Sequence, residues 1–330
     1  MKSVLKWLAA GVASLLVVVA ALYFGTRGDY PVPALVTHDN VLPKQDVLGI
    51  ALHMETIEGP EGAQTIIVLH GGPGADFQSL RALAALSDTH RIVFYDQRGA
   101  GLSERVAANQ LTLDGYLAEL DAVVDLVSSD RPVVLIGHSW GAMLATAYLG
   151  QSPMRVRRAV LIEPGYIDAD GRAEWRAQSK HFMSGAGYVT QAVLTGFRAA
   201  HVTGPDKWAA DDFLIGRMVG MFVRHPENPY HCGSGYTAPG WRFGAAASSA
   251  WQGVPDTEVD RIAAGTAYEG PVLLLAGACN SWTGPPLQSQ HATLFANAVL
   301  SVIPNAGHDV VWDKPESTIM AIRGFLAPDA

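Results

Sequence analysis

Residues Pro132-Val133-Val134-Leu135-Ile136-Gly137-His138-Ser139-Trp140-Gly141 decide how this chain folds. An apolar run without polar alternation suits a strand buried on both faces, as in a parallel sheet with helices on either side. Gly141 to Gly150 reads as a small-residue helix able to pack close to such a sheet. Between them, the two glycines of Gly-His-Ser-Trp-Gly permit a sharp strand-to-helix turn. That turn lifts Ser139 Oγ clear of the sheet at a helix amino terminus, where the helix dipole is positive. The pentapeptide alone also fits a plain turn carrying an idle serine, so its neighbours must separate the two readings.

Working outward, Ile66 to Leu69, Arg91 to Tyr95, Ala159 to Ile162 and Pro271 to Leu275 are further apolar runs of strand length, and Leu111 to Ser129 has helical spacing. The alternation predicts βαβ units from about Val47. It stops between Gly165 and Glu269, where helical patterns such as Trp208 to Arg224 predict an inserted helical cap. It resumes at Pro271, with Leu300 to Ile303 as the last strand and a closing helix near Glu316 to Phe325. His70-Gly71-Gly72-Pro73-Gly74 follows the Ile66 to Leu69 strand, and its glycines leave backbone N–H groups open to a ligand. With the N–H of Trp140, that of Gly72 would hold the oxyanion formed when Ser139 attacks a carbonyl. A phosphate cradle is the rival reading, but no Gly-Lys-Ser/Thr follows. A base is still needed. His308, in the loop after the last predicted strand, can be carried over Ser139 to take its proton. His70 and His138 flank the turns and are expected to hold loop backbone.

With these residues placed, the chain resembles the α/β-hydrolase superfamily and its proline iminopeptidase-like branch. The resemblance is carried by His70-Gly71-Gly72-Pro73-Gly74, by Asp96-Gln97-Arg98-Gly99-Ala100-Gly101-Leu102-Ser103, by Gly137-His138-Ser139-Trp140-Gly141 and by Gly307-His308. It implies an α/β fold with a mostly parallel sheet flanked by helices. The expected division is an amino-terminal membrane or signal segment at 1–29, a core at 30–164 and 270–330, and the cap at 165–269. In this family the Asp-Gln-Arg segment shapes the loop beside the elbow, and Asp96 and Arg98 are expected to form an internal ion pair.

The acid position departs from the branch, which places its aspartate in a Gly-Arg-x-Asp pattern after the strand that follows the cap. Here that stretch reads Gly277-Ala278-Cys279-Asn280. In a Ser-His-Asp arrangement an Asp→Asn change favours the wrong imidazole tautomer and costs ~10⁴ in rate, or roughly 5.5 kcal/mol. An active enzyme therefore needs its acid elsewhere, and Glu163, ending the apolar Ala159 to Ile162 strand, is the candidate. Other branches carry their acid at the end of that strand, and a carboxylate there needs a partner because burying an unpaired charge is costly. The competing reading has Glu163 capping or salt-bridging the first turn of the cap. Asn280 would then assist, by hydrogen-bonding Glu163 or lining the pocket.

These readings predict a serine hydrolase acting through an acyl-enzyme on a small hydrophobic ester, lactone or amide, without metal or organic cofactor. A prolyl aminopeptidase also needs a cap carboxylate for the substrate ammonium. The family's Trp-Glu is replaced by Trp251-Gln252, which leaves Glu174, Asp211, Asp212 and Glu227 as candidates. A silent fold that binds a small molecule is the third alternative, motivated by Asn280. The cap is rich in aromatics and methionine, among them Phe182, Met183, Phe222 and Trp251, some of which should line an apolar pocket.

The 330 residues are 49% hydrophobic and 16% charged, which excludes a disordered chain. A net charge of −8 without a basic run argues against nucleic acid as a partner. Cys232 and Cys279 match no zinc pattern and leave open one disulfide or two free thiols. Lys2 and Lys6 precede the uncharged run Trp7 to Gly25, which reads as an export signal, either an uncleaved anchor or a cleavable peptide. As an anchor in the cytoplasmic membrane it would leave the catalytic domain outside the cytoplasm, in the periplasm of a Gram-negative cell.

Overall fold

The computed structural model describes residues 2–232 and 238–327. Its first element, α1 (Lys2–Gly25), contains the apolar segment Val4–Gly25, none of which is buried by the rest of the protein. At about 1.5 Å per residue the helix is long enough to cross a ~30 Å hydrocarbon layer. Leu35 and Val36 are then buried, and Val36 N donates to Leu102 O at 2.9 Å.

The body is built on an eight-stranded sheet of β1 (Lys44–Val47), β2 (Ile50–Ile57), β3 (Gln64–Leu69), β4 (His90–Tyr95), β5 (Val133–His138), β6 (Val156–Ile162), β7 (Val272–Gly277) and β8 (Ala298–Ile303). Their order is β1-β2-β4-β3-β5-β6-β7-β8; β2 runs antiparallel to both its neighbours and every later pairing is parallel. The expected mostly parallel sheet is therefore present. The β1–β2 hairpin was not among the apolar runs, because β1 is an edge strand with one buried residue. Its turn, Leu48-Gly49, has both residues at positive φ, the conformation of a tight two-residue hairpin.

Strand periodicity sorts the core into two layers. Ile67, Leu69, Leu135 and Leu161 face α2 (Leu113–Val127) and α3 (Trp140–Gln151), whereas Ile66, Val68, Ile136 and Ile162 face the 3₁₀ segment Gln78–Asp88 and Ile322 near the carboxyl end. Thr112 caps α2 by accepting from Gly115 N at 3.1 Å. Between β6 and β7 lie α4 (Ala169–Phe182), α5 (Gly185–Ala199), α6 (Ala209–Val223), α7 (Ala245–Gln252) and α8 (Asp256–Ala263). After β7 come α9 (Pro285–Ala292), then, beyond β8, α10 (Val310–Asp313) and α11 (Pro315–Leu326).

The expected Asp96–Arg98 ion pair is not formed. Arg98 Nε pairs with Glu119 at 3.0 Å, and Asp96 instead accepts from Phe77 N, Leu102 N and His53 Nδ1. Neighbours in a turn point apart, so each buried charge is met by whatever element packs above it. A second buried network ties the helical insertion to the body. Asp212 of α6 meets Arg105 Nε at 3.0 Å, Arg242 Nε at 2.8 Å and Ala245 N at 2.9 Å, and Arg242 also grips Asp206. Removing one partner from such a network strands the remaining charges. Asp212→Ala is accordingly expected to cost about 3–5 kcal/mol, measured as a lower midpoint in urea unfolding of the body.

Candidate active site

The turn after β5 is built by close backbone approach. A Cβ on Gly141 would collide with the Leu69 carbonyl, and one on Gly137 with the carbonyl of Gly141, so α3 sits directly over the ends of β3 and β5. Ser139, half-buried at the apex, has φ 52° and ψ −116°, a conformation a non-glycine residue holds only when its surroundings impose it. The imposition includes Ser139 N donating to Ile162 O at 2.8 Å.

The 70–74 loop lies against this apex, with Gly71 so placed that a Cβ there would stand 3.2 Å from Ser139 Cβ. Gln97 N donates to His70 Nε2 at 2.9 Å, so the His70 Nδ1–H is left to donate to Gly71 O at 2.8 Å. Burial pushes the His70 imidazole below its usual pKa, consistent with this neutral tautomer. Gln97 also donates to His70 O and accepts from Trp140 Nε1 at 2.8 Å. One glutamine side chain thus registers the glycine loop against the elbow. Trp140 opens α3, so its N–H has no partner within the helix; Gly72, at φ 124°, lies in the adjoining loop.

His308 is fixed on three sides. His138, next to Ser139 in the chain, donates Nε2–H to His308 O at 2.9 Å, and His308 N donates to Tyr230 O at 2.7 Å. The imidazole stacks on the Tyr230 ring, 4.4 Å between centroids and 12° from parallel. Its Nδ1 lies 2.7 Å from Glu163 Oε2. A carboxylate accepts there, so Nδ1 carries the proton and Nε2 keeps its lone pair.

Glu163, completely buried, follows β6 with φ 45°, and its N–H donates to Leu275 O. Gly277 N donates to Oε1 at 2.7 Å, and Asn280 Nδ2 to Oε2 at 2.6 Å. Burial pushes the carboxyl well up, while those donors favour its charged form. Asn280 Oδ1 accepts from Trp282 N and Thr283 N, which shapes its turn. Glu163 and His308, the residues expected to serve as acid and base, are thus brought into contact.

A disulfide joins Cys232 to Cys279, with 4.9 Å between Cα atoms, and so ties the Tyr230 segment to the Asn280 turn. Trp282 stacks on Tyr230 at 4.7 Å, and Phe182 and Phe222 pack beside them. Trp251 packs on Trp140 at 4.3 Å. Of the four carboxylates considered for an ammonium, Glu174, Asp211 and Glu227 are exposed and Asp212 is occupied by two arginines. Tyr230, Gln97 and the Gly277 N–H were not foreseen. The first two are polar or aromatic residues with no local periodicity to mark them, and the third is backbone.

The chain and its fold are similar to known proteins. A family model described as the alpha/beta hydrolase fold matches residues 64–315. A proline iminopeptidase of Heyndrickxia coagulans is 36% identical over 120 residues, covering 36% of this chain and only 41% of that protein. An sn-1-specific diacylglycerol lipase of Mus musculus is 24% identical over 296 residues, 86% of this chain and 87% of the lipase. Among solved structures, a proline iminopeptidase-related protein of Thermus thermophilus superposes with a TM-score of 0.58 at 19% identity, covering 86% and 96% of the two chains.

Burial is the largest influence on the His308 imidazole and moves its pKa down, against the opposing fields of Asp309 and Asp313. The ring is therefore neutral at pH 7 and takes up a proton only as pH falls below the ordinary value of ~6.5. An NMR titration of ring-labelled histidine should find the His308 midpoint below that of an exposed histidine in the same protein; a higher midpoint would contradict this account of the site.

Proposed function

Given that this chain belongs to the α/β-hydrolase fold family, we propose that it is a serine hydrolase acting through an acyl-enzyme on a small hydrophobic ester or lactone. The observation that carries the reading is the Glu163–His308 hydrogen bond of 2.7 Å, tied through His138 to the strained Ser139 turn. In this mechanism His308 Nε2 takes the Ser139 proton as Oγ attacks the substrate carbonyl, and Glu163 stabilises the imidazolium that results. The N–H groups of Gly72 and Trp140 receive the oxyanion. The imidazolium then protonates the leaving group, and the same base activates water to release the acid. Asn280 and Gly277 donate to the Glu163 carboxyl group and aim it at the imidazole.

Residues 30–164 and 270–330 supply this machinery in our reading, and 165–269 form a cap that contributes aromatic surface. An aminopeptidase is the less supported alternative. The matched stretch of the iminopeptidase is under half of that protein, and each carboxylate considered for an ammonium is exposed or already paired. The mouse relative is an sn-1-specific diacylglycerol lipase, and its match covers 86% of this chain, the insertion included. We further propose that α1 anchors the protein in the cytoplasmic membrane with Lys2 and Lys6 inside and the catalytic body outside.

Ser139→Ala should abolish turnover and fluorophosphonate labelling, and a folded wild-type protein that resists the label would overturn the reading. Glu163→Gln should lower kcat by ~10⁴ by favouring the wrong tautomer. Because the imidazole must be neutral, kcat/KM should rise with pH through a midpoint below ~6.5 and stay level above it. Offered a short-chain nitrophenyl ester and a prolyl anilide, the full chain is expected to prefer the ester. Preference for the anilide would move the assignment to an aminopeptidase.

A further inference from the structure

We infer that the exposed apolar face of α5, with the turn that precedes it, docks on the lipid bilayer, so that the site draws its acyl substrate from the membrane. Val189 and Val193 lie one turn apart and are 57% and 47% exposed, and Met183 on the α4–α5 turn is 41% exposed. Ala186 extends the same stripe at helical spacing. What identifies the occupant is continuity with α1. His201, just beyond the end of α5, contacts the Tyr23 carbonyl through Nε2 at 2.7 Å, and the two rings lie 4.4 Å apart. Tyr23 belongs to the apolar Val4–Gly25 segment, so this end of α5 is level with the point where that segment leaves the hydrocarbon. Val193 is about 12 Å from it along the helix. Aromatic and basic groups suited to the headgroup layer mark the same level, Arg27 standing 4.5 Å over the Phe24 ring.

The arrangement is fixed rather than tethered. Tyr30 packs on Phe213 of α6 at 5.4 Å, and Arg242 donates to Pro33 O at 2.9 Å. The insertion therefore cannot swing away from α1, and one face is always turned toward the bilayer. Phe182, beside Met183, reaches the base through rings: Phe182 to Trp282 at 6.0 Å, Trp282 to Tyr230 at 4.7 Å, and Tyr230 to His308 at 4.4 Å. These rings form a buried cluster that joins the face to the reacting end, and in the proposal an acyl chain leaving the leaflet is received against it. The substrate class that follows is an ester dissolved in the membrane, which extends the small-ester reading above to longer acyl chains. This rests on the serine-hydrolase and anchor readings above.

The test uses the full chain in phosphatidylcholine vesicles with Val193→Cys carrying an environment-sensitive fluorophore, the two native cysteines being bonded to each other. Blue-shifted emission quenched by nitroxide lipids is expected. A water-like spectrum quenched by iodide would overturn docking, and so would a shifted spectrum that lipid-borne nitroxide cannot reach, the mark of a second copy covering the face. In the second arm, Val189→Glu with Val193→Glu should slow hydrolysis of a vesicle-dissolved long-chain nitrophenyl ester by about tenfold and leave a soluble short-chain ester unchanged. Equal loss, or no loss, on both esters would overturn delivery from the bilayer. If wild type cleaves neither ester, the hydrolase reading fails and substrate delivery with it, while the fluorophore still decides docking.

Discussion

A carboxylate buried at the end of an apolar strand is tolerable only where donors meet both its oxygens, and the Glu163 side chain organises one end of this sheet on that condition. Gly277 N–H reaches Oε1 from the end of β7, and Asn280 and His308 share Oε2 from two different loops. Three segments distant in sequence are thereby drawn to one point. The disulfide and the Tyr230 stack hold two of them there by other means. The same contact sets His308 Nδ1 as the donor to Glu163. In the proposed mechanism, satisfying the buried carboxylate in this way also leaves Nε2 to accept the Ser139 proton.

The other half of the site is made by steric absence. Because Gly137 and Gly141 have no side chains, α3 settles onto β3 and β5, and Ser139 is forced into positive φ at the summit. The glycine loop reaches the same summit for the same reason, at Gly71. Gln97 then converts proximity into fixed register by bonding both His70 and Trp140. Strain and donors are assembled by packing of the whole sheet edge, which is why the parts lie on separate loops.

The insertion is joined to this frame by apolar packing, through Ala247, Trp251, Val259 and Ile262, and by buried charge as well. Asp212 and Asp206 hold Arg105 and Arg242 in a nearly dry environment, and the same Arg242 grips the segment that follows α1. What the insertion contributes to the site is aromatic surface around His308 and Trp140.

The sequence by itself determined the parallel strands, the elbow and the glycine loop, and it singled out His308 and Glu163, because each is written in a short stretch of chain. Apolar runs without alternation mark doubly covered strands, and a glutamate closing such a run is conspicuous. The edge hairpin was less legible, since an exposed strand lacks that signal. Asp96 and Arg98 were misjudged as partners because adjacency in sequence says nothing about what packs above a turn. Glu119 could have been found instead, for it falls on the apolar face of α2 with Tyr116, Leu120 and Val123. Only the tertiary structure decided that Asn280 donates to Glu163, that Cys232 meets Cys279, that Tyr230 covers His308 and that α5 meets the end of α1. Each of these joins residues far apart along the chain, and such contacts exist only once the sheet has brought its loops to the same edge.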